Sequence, residues 1–291
     1  MGELQETAGL SAAEMRAMMD GAVPDDELVA QAHVVAARHA GTMKASPLIL
    51  TGNCTTRPIC RHCKWEHFKA VSENEFALDR PLAETLARAR RLVEAGVGRA
   101  FLATGWMGFR LPARFVDAVA AVHEAEPELQ LYGLFGALDR ESHRALARAG
   151  LTGMLTSLES PSGEVYRAFR PGGDSLADRL RALGHAREEG LAVWTGFLVG
   201  LGETPADVAR GIDLVRTFDP ESVSILPFVP FPDTPMASHA RTNPQWLARA
   251  NAVARIALPR VRYFFSDHAD GFDADMERRL GMNGSYETGI R

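Results

Sequence analysis

The sequence predicts a single α/β barrel of the (βα)6 to (βα)8 type with a helical extension at its N-terminus. Three observations carry that expectation. A short apolar, β-rich run followed by a longer helical pattern recurs along the chain, and strands that alternate with helices pair in parallel through right-handed crossovers. The chain has 291 residues, 46% hydrophobic and 24% charged, an ordinary size and composition for one such barrel. No Gly-x-Gly-x-x-Gly opens the first barrel helix, which leaves the open doubly wound sheet as the weaker alternative. No linker or low-complexity tract divides the sequence, so residues 1–45 are expected to form the extension and residues 46–291 one barrel domain.

Leu10 to Ala40 reads as two amphipathic helices. The second opens near Pro24-Asp25-Asp26-Glu27, where acidic side chains complement the positive end of a helix. These helices are expected to cover the bottom or side of the barrel. Strands are then expected at Pro47–Thr51, Ala100–Thr104, Gln130–Phe135, Gly153–Leu158, Ala192–Val199, Ser222–Val229 and Arg262–Ser266, with a short eighth around Gly281–Tyr286. Between them lie helical patterns at Arg80–Ala95, Pro112–Glu124, Arg140–Arg148, Ser175–Glu188 and Pro205–Phe218. Each strand is apolar or β-branched enough to be buried on both faces, as a parallel barrel requires.

Composition excludes several function classes. The net charge is -5, and arginines mix with acidic residues on helix faces such as Leu82 to Glu94, so no nucleic-acid footprint is expected. No apolar run approaches the ~20 residues needed to span a bilayer. The start Met-Gly-Glu-Leu-Gln-Glu lacks the basic and apolar regions of a signal peptide. A cytoplasmic protein with no membrane partner is the expectation, and there reduced thiols are the default.

All three cysteines, Cys54, Cys60 and Cys63, fall within ten residues just after the first predicted strand, with the spacing C-x5-C-x2-C. Three soft ligands in one loop suit an iron-sulfur cluster or zinc. A four-iron cubane normally takes four cysteines, so three leave one iron open to a small molecule. Two other readings stay open: a structural Cys3His zinc site completed by His67, and three buried thiols acting as small hydrophobes. In a barrel, chemistry sits where strands end and loops begin. Thr104-Gly105-Trp106-Met107-Gly108, Glu159-Ser160-Pro161, Gly200-Leu201-Gly202-Glu203-Thr204 and Phe228-Val229-Pro230-Phe231-Pro232-Asp233-Thr234-Pro235 all fall at such ends, beside the cysteines. A zinc knuckle does not need that ring of small and polar loop ends, whereas an enzyme holding a cofactor does.

From Pro47 to Pro259 the chain resembles radical S-adenosylmethionine (SAM) enzymes of the group containing biotin synthase, the hydrogenase maturase HydE and methylornithine synthase PylB. Gly196-Phe-Leu-Val-Gly200-Leu-Gly202-Glu203-Thr204 resembles the motif that packs beside the SAM adenine. Glu159-Ser160-Pro161, Arg170-Pro171-Gly172 and Ser175 to Leu180 resemble the HydE stretch whose Glu and Arg contact SAM. Pro227 to Pro235 and Ala252 to Pro259 are also similar to this group. The resemblance implies a radical SAM barrel with a 4Fe–4S cluster on Cys54, Cys60 and Cys63 and SAM on the open iron. It implies reductive cleavage to a 5′-deoxyadenosyl radical, a small-molecule substrate and an external electron donor of ferredoxin or flavodoxin type.

Site residues follow from the same resemblance. Arg179 is the candidate for the SAM carboxylate, because guanidinium is a fixed, always charged fork, and Arg170 contacts SAM beside it. Glu159 would accept from a ribose hydroxyl or the ammonium, Thr104 and Gly105 would let backbone approach the amino group, and Gly196, Gly200 and Glu203 would lie by the adenine. His62 stands where the family carries an aromatic residue before the last cysteine. Each also has a plain structural reading: a surface ion pair for Arg179, a helix N-terminal carboxylate for Glu159, a plain turn for Thr104 and Gly105, a surface imidazole for His62. Substrate contacts are sought among Tyr132, Phe135, Trp194, Thr195, Phe228, Tyr263, Asp267, His268 and Asn283, although aromatics on barrel strands more often fill the core.

The spacing departs from the superfamily's usual C-x3-C-x2-C by two residues. A C-x5-C-x2-C motif on a HydE-like barrel resembles the HcgA (HmdB) type, which implies radical carbon chemistry in building the pyridinol of the iron-guanylylpyridinol cofactor of Hmd-type hydrogenase. A PylB-like mutase or lyase acting on an amino acid is the alternative enzyme, and a zinc-stabilised binding protein the non-enzymatic one. Biotin synthase draws sulfur from an auxiliary cluster, for which this chain has no cysteine left.

Overall fold

The computed structural model describes residues 9–39, 41–63, 79–232, 234–265 and 274–286. Eight parallel strands form a closed barrel in chain order, β8 pairing back onto β1. They are β1 Met43–Ile49, β2 Arg99–Ala103, β3 Gln130–Leu134, β4 Gly153–Leu155, β5 Ala192–Val199, β6 Ser222–Pro227, β7 Tyr263–Phe265 and β8 Gly284–Tyr286. The upper end of the expected range, (βα)8, is therefore the architecture. The first strand begins four residues earlier than its pattern suggests, because Met43 and Ala45 face inward and pair with Gly284 and Tyr286 of β8.

Two helices precede the barrel, α1 Ala12–Met19 and α2 Asp25–Ala36. The barrel helices follow as α3 Leu82–Glu94, α4 Ala113–Ala125, α5 Arg140–Arg148, α6 Gly163–Phe169, α7 Leu176–Glu188, α8 Pro205–Arg216, α9 Pro244–Ala257 and α10 Ala274–Leu280. Local chemistry fixes their starts. Ser11 with Glu14, Ser175 with Asp178 and Thr204 with Asp207 form reciprocal capping boxes, each satisfying orphan N–H groups of a first turn. Helices α1 and α2 lie on α8, α9 and α10, which puts the extension on the barrel's side. Arg249 of α9 fastens it by donating to the carbonyls of Met18 and Val23 and pairing with Asp25.

Two apolar layers hold the fold. The outer one packs sheet against helices through residues such as Leu48, Leu102, Leu131, Phe197 and Ile225. The inner one is an aromatic plug of Met43, Phe101, Tyr132, Trp194, Tyr263 and Phe265 in the lower barrel. Tyr132 Oη and Trp194 Nε1 both donate to Glu221 Oε2, at 3.0 and 2.9 Å, so the plug's polar tips are satisfied. Tyr132 and Trp194 are each 1% exposed and Tyr263 is buried with them. These three are thus barrel core and not the substrate contacts proposed for them. Asn283 is likewise structural, donating to the carbonyls of Gly41 and Arg262 and accepting from Phe264 N–H.

Candidate active site

The cysteine loop leaves the top of β1 and is pinned on three sides. Thr55 donates from both N–H and Oγ1 to the carbonyl of Trp106, at 2.8 and 3.0 Å. Arg61 N–H donates to the Phe169 carbonyl at 2.8 Å. Gly105 lies so close that a Cβ there would stand 2.3 Å from Asn53 O and 2.6 Å from Cys54 Cβ, so only glycine permits this contact. The widened segment between Cys54 and Cys60, which holds a cis Arg57-Pro58 bond, rests on Gly172 and Gly173. A Cβ on Gly172 would meet Arg57 backbone at 2.5 Å, and one on Gly173 would meet Thr56 Oγ1 at 2.9 Å.

Cys60 is 4% exposed. Burial pushes its thiol up to about 12, against the positive charge of Arg170, while Cys63, Glu159 and Cys54 also raise it. Three thiolate ligands on one short loop suit a cationic centre that takes over their charge. Among the described residues no three His, Cys, Asp or Glu side chains are arranged to hold a single ion. His67, the fourth donor of the zinc alternative, lies outside them, as do Asp267 and His268.

Next to the loop lies a buried ion cluster. Glu159 follows β4 with φ of 61°, a left-handed conformation unusual for a residue with a side chain, and its N–H is held by Ser157 Oγ at 2.9 Å. Its carboxylate meets Arg179 Nη1 at 2.9 Å, Arg170 Nη1 at 3.9 Å and His62 Nε2 at 3.7 Å. Asp174 binds the other sides of both guanidiniums, with Arg179 Nε at 2.9 Å and Arg170 Nη2 in direct contact. Asp174 also accepts from Ala137 N–H at 3.1 Å, and Tyr166 Oη accepts from Arg170 Nε and Arg179 Nε, both at 3.0 Å. Burial alone would raise the Glu159 and Asp174 pKa values. The two guanidiniums overcome it, helped at Glu159 by His62, and hold both carboxyls well below the usual range.

Arg179 is fully engaged inside the protein, since its Nη1 also donates to Ser157 O at 2.6 Å. It is thereby bound to Glu159, while the positive charge of Arg170 opposes the rise of the Cys60 pKa. His62 stacks edge-on against Phe169 at 4.6 Å. Sequence reasoning missed Asp174 and Tyr166, although the Arg170-x3-Asp174-x4-Arg179 spacing was there to read.

The β5 loop is braced by its own residues. Glu203 accepts from Gly200 N–H and Leu201 N–H, at 2.7 and 2.9 Å, and from Trp246 Nε1 at 2.8 Å. Gly200 has φ of 94° and would clash through a Cβ with Thr242 Oγ1 at 2.2 Å. Thr104 Oγ1 donates to Gly105 O at 2.7 Å. Gly196 sits mid-strand against Ser224, Phe228 joins Phe169 and Leu201 in an apolar cluster, and Thr195 donates to Thr156 O. Phe135 packs in the outer core, so neither it nor Thr195 lines the lumen.

Residues 48–215 match the family described as the Radical SAM superfamily. The chain belongs to that superfamily. As a radical SAM enzyme it uses a 4Fe–4S cluster and S-adenosylmethionine. It is 33% identical to the biotin synthase of Allorhizobium ampelinum over 246 residues, covering 80% of this chain and 72% of that one. It is 30% identical to the biotin synthase of Paramagnetospirillum magneticum over 287 residues, covering 94% and 84%. Methylornithine synthase (PylB) superimposes with a TM-score of 0.82 at 21% identity, over 97% of this chain and 83% of that one. The FeFe-hydrogenase maturase HydG from Carboxydothermus hydrogenoformans gives 0.80 at 19%, over 96% and 67%. At such identities the two structures speak for the fold alone. No described helix of this radical SAM enzyme is long and apolar enough to cross a membrane.

Proposed function

We propose that this radical SAM enzyme binds its cluster through Cys54, Cys60 and Cys63 and performs carbon-centred radical chemistry in building the pyridinol of the iron-guanylylpyridinol cofactor. The observation that carries the reading is the C-x5-C-x2-C loop, whose two additional residues have a fitted seat on Gly172 and Gly173. Held by these three cysteines and reduced, the cluster would supply the one electron needed for reductive cleavage of SAM and so the radical chemistry at carbon. A one-electron donor of ferredoxin or flavodoxin type would provide that electron.

The chain's own residues position and shield. Glu159, kept ionised by Arg179 and Arg170, accepts from the SAM ribose or ammonium, and Arg170 offers charge toward the SAM carboxylate. Arg179 and Asp174 hold those two groups in place. Gly105 and Thr104 let the backbone come near the amino group, while His62, Gly196, Gly200 and the Glu203-braced loop shape the adenine side. Sulfur insertion of the biotin synthase kind does not fit, because all three cysteines are taken.

Anaerobic reconstitution with iron and sulfide, followed by dithionite and SAM, should give deoxyadenosine in the wild type and none in Cys60→Ala. Uptake of zinc without iron, or deoxyadenosine that survives Cys60→Ala, overturns the ligand assignment. The pathway role is tested in a strain that carries the rest of the cofactor pathway but lacks its HmdB-type enzyme. Restored cofactor supports the role, and failure by a chain that still makes deoxyadenosine refutes it.

A further inference from the structure

The strands that carry the mouth also enclose a lumen, and its lining has a definite chemistry. Leu131, Val193, Phe197, Val199, Val223 and Ile225 belong to the outer core, so the residues offset from them by one position face inward. Low in the barrel the inward positions are the buried aromatic plug. Toward the strand ends they become half-buried, at Pro47, Ile49, Leu134, Leu155, Leu198 and Leu226. Inside a closed ring of strands, that exposed surface belongs to a lumen beneath the mouth.

Ser157 and Ser224 add hydroxyls to this aliphatic wall, while the half-buried Tyr286 packs on the aromatic plug below it. Ser157 Oγ is occupied by Glu159 N–H at 2.9 Å. Ser224 lies between the outward Val223 and Ile225, is half-buried, and makes no side-chain hydrogen bond among the described residues. It is brought close to β5 by Gly196, where a Cβ would stand 1.8 Å from Ser224 O. Among the described residues, the ionised groups nearest this wall gather at the rim, where Glu159, Arg170, Asp174 and Arg179 neutralise one another.

We infer that the part of the substrate received in the lumen is an uncharged apolar ring or chain bearing one neutral hydrogen-bonding group, which Ser224 binds, and is not an amino-acid zwitterion. This deepens the proposed function and rests on its placement of SAM at the same mouth. An ammonium or carboxylate moved onto an aliphatic wall loses its hydration without a partner, whereas a hydroxyl needs only one hydrogen bond to be accommodated. The wall therefore selects by charge and Ser224 by orientation.

The test is calorimetric titration of the reconstituted enzyme with two probes of similar size, m-cresol as the neutral one and L-norleucine as the zwitterion. m-Cresol should bind at least about tenfold more tightly. Leu134→Asp should abolish its binding, and Ser224→Ala should weaken it roughly three- to tenfold. Equal or tighter binding of norleucine, no binding of m-cresol, or an unchanged affinity in Ser224→Ala overturns the inference. Deoxyadenosine formation with dithionite is followed separately. Its absence beside intact, Ser224-dependent m-cresol binding would refute the cluster assignment and leave the lumen chemistry standing.

Discussion

Two regions bury arginine in opposite ways. At the mouth, Arg170 and Arg179 face Asp174 and Glu159, and although burial disfavours their charge, these carboxylates raise both pKa values above the usual arginine range. At the seam between α9 and β7, Arg255 is 0% exposed. It donates to the carbonyls of Val261 and Gly281 and lies over the Phe264 ring at 3.7 Å from its centroid. No carboxylate pairs with it among the described residues, and burial pulls its pKa below the ordinary range. The mouth stores fixed, compensated charge beside the cysteine loop, where the proposed function puts SAM. The seam uses a guanidinium as a strut whose donors tie α9, β7 and α10 together.

Asp174→Asn should break this contrast most sharply. It leaves two buried guanidiniums against Glu159 alone, and removing one partner of a buried pair costs about 3–5 kcal/mol. Urea unfolding should register that loss, and deoxyadenosine formation should fall with it because Glu159 and Arg170 lose their common anchor. Arg255→Met comes next. It leaves two carbonyls without a donor but keeps apolar contact with Phe264, so about 1–3 kcal/mol should be lost, while deoxyadenosine formation per folded molecule stays unchanged. A fall in activity equal to that of Asp174→Asn would show that the two regions do not differ in role.

Much of this contrast is beyond what a linear pattern records. The β-rich runs and the helical patterns between them gave away the barrel, since each pattern acts within a few residues of itself. Helix α9 was announced by Asn243-Pro244, an N-cap followed by a residue suited to the first turn, and went unread because its face is small alanines. Asp174 escaped notice although Arg170 and Arg179 lie four and five residues away, because what fixes it in place, the Ala137 N–H, comes from a loop 37 residues distant. Tyr132 and Trp194 stayed open between core and substrate contact for another reason. Alternation tells which face of a strand a residue occupies but not its height in the barrel, which depends on strand stagger.

Smaller changes sharpen the comparison further. Glu159→Gln keeps the shape of the side chain and removes its charge while Asp174 still anchors both arginines. The expected outcome is a KM for SAM raised roughly tenfold, as for loss of one charge-assisted hydrogen bond, with a loss of stability smaller than that of Asp174→Asn because the fully buried Asp174 still faces both guanidiniums. An equal loss of stability and of SAM affinity would make Glu159 a structural group instead.

The smallest effect is expected at the barrel floor. Tyr132→Phe removes one donor from Glu221 and leaves Trp194 Nε1 bound to the same oxygen at 2.9 Å, so the carboxylate is not orphaned. The cost should be about 1 kcal/mol, visible as a shifted urea midpoint with an unchanged slope. Deoxyadenosine formation and m-cresol binding should both be untouched, because the plug lies below the aliphatic lining and only closes the lumen. If m-cresol affinity fell instead, the plug would be part of the binding surface, and the division between a structural floor and a chemical mouth would have to be moved down the barrel.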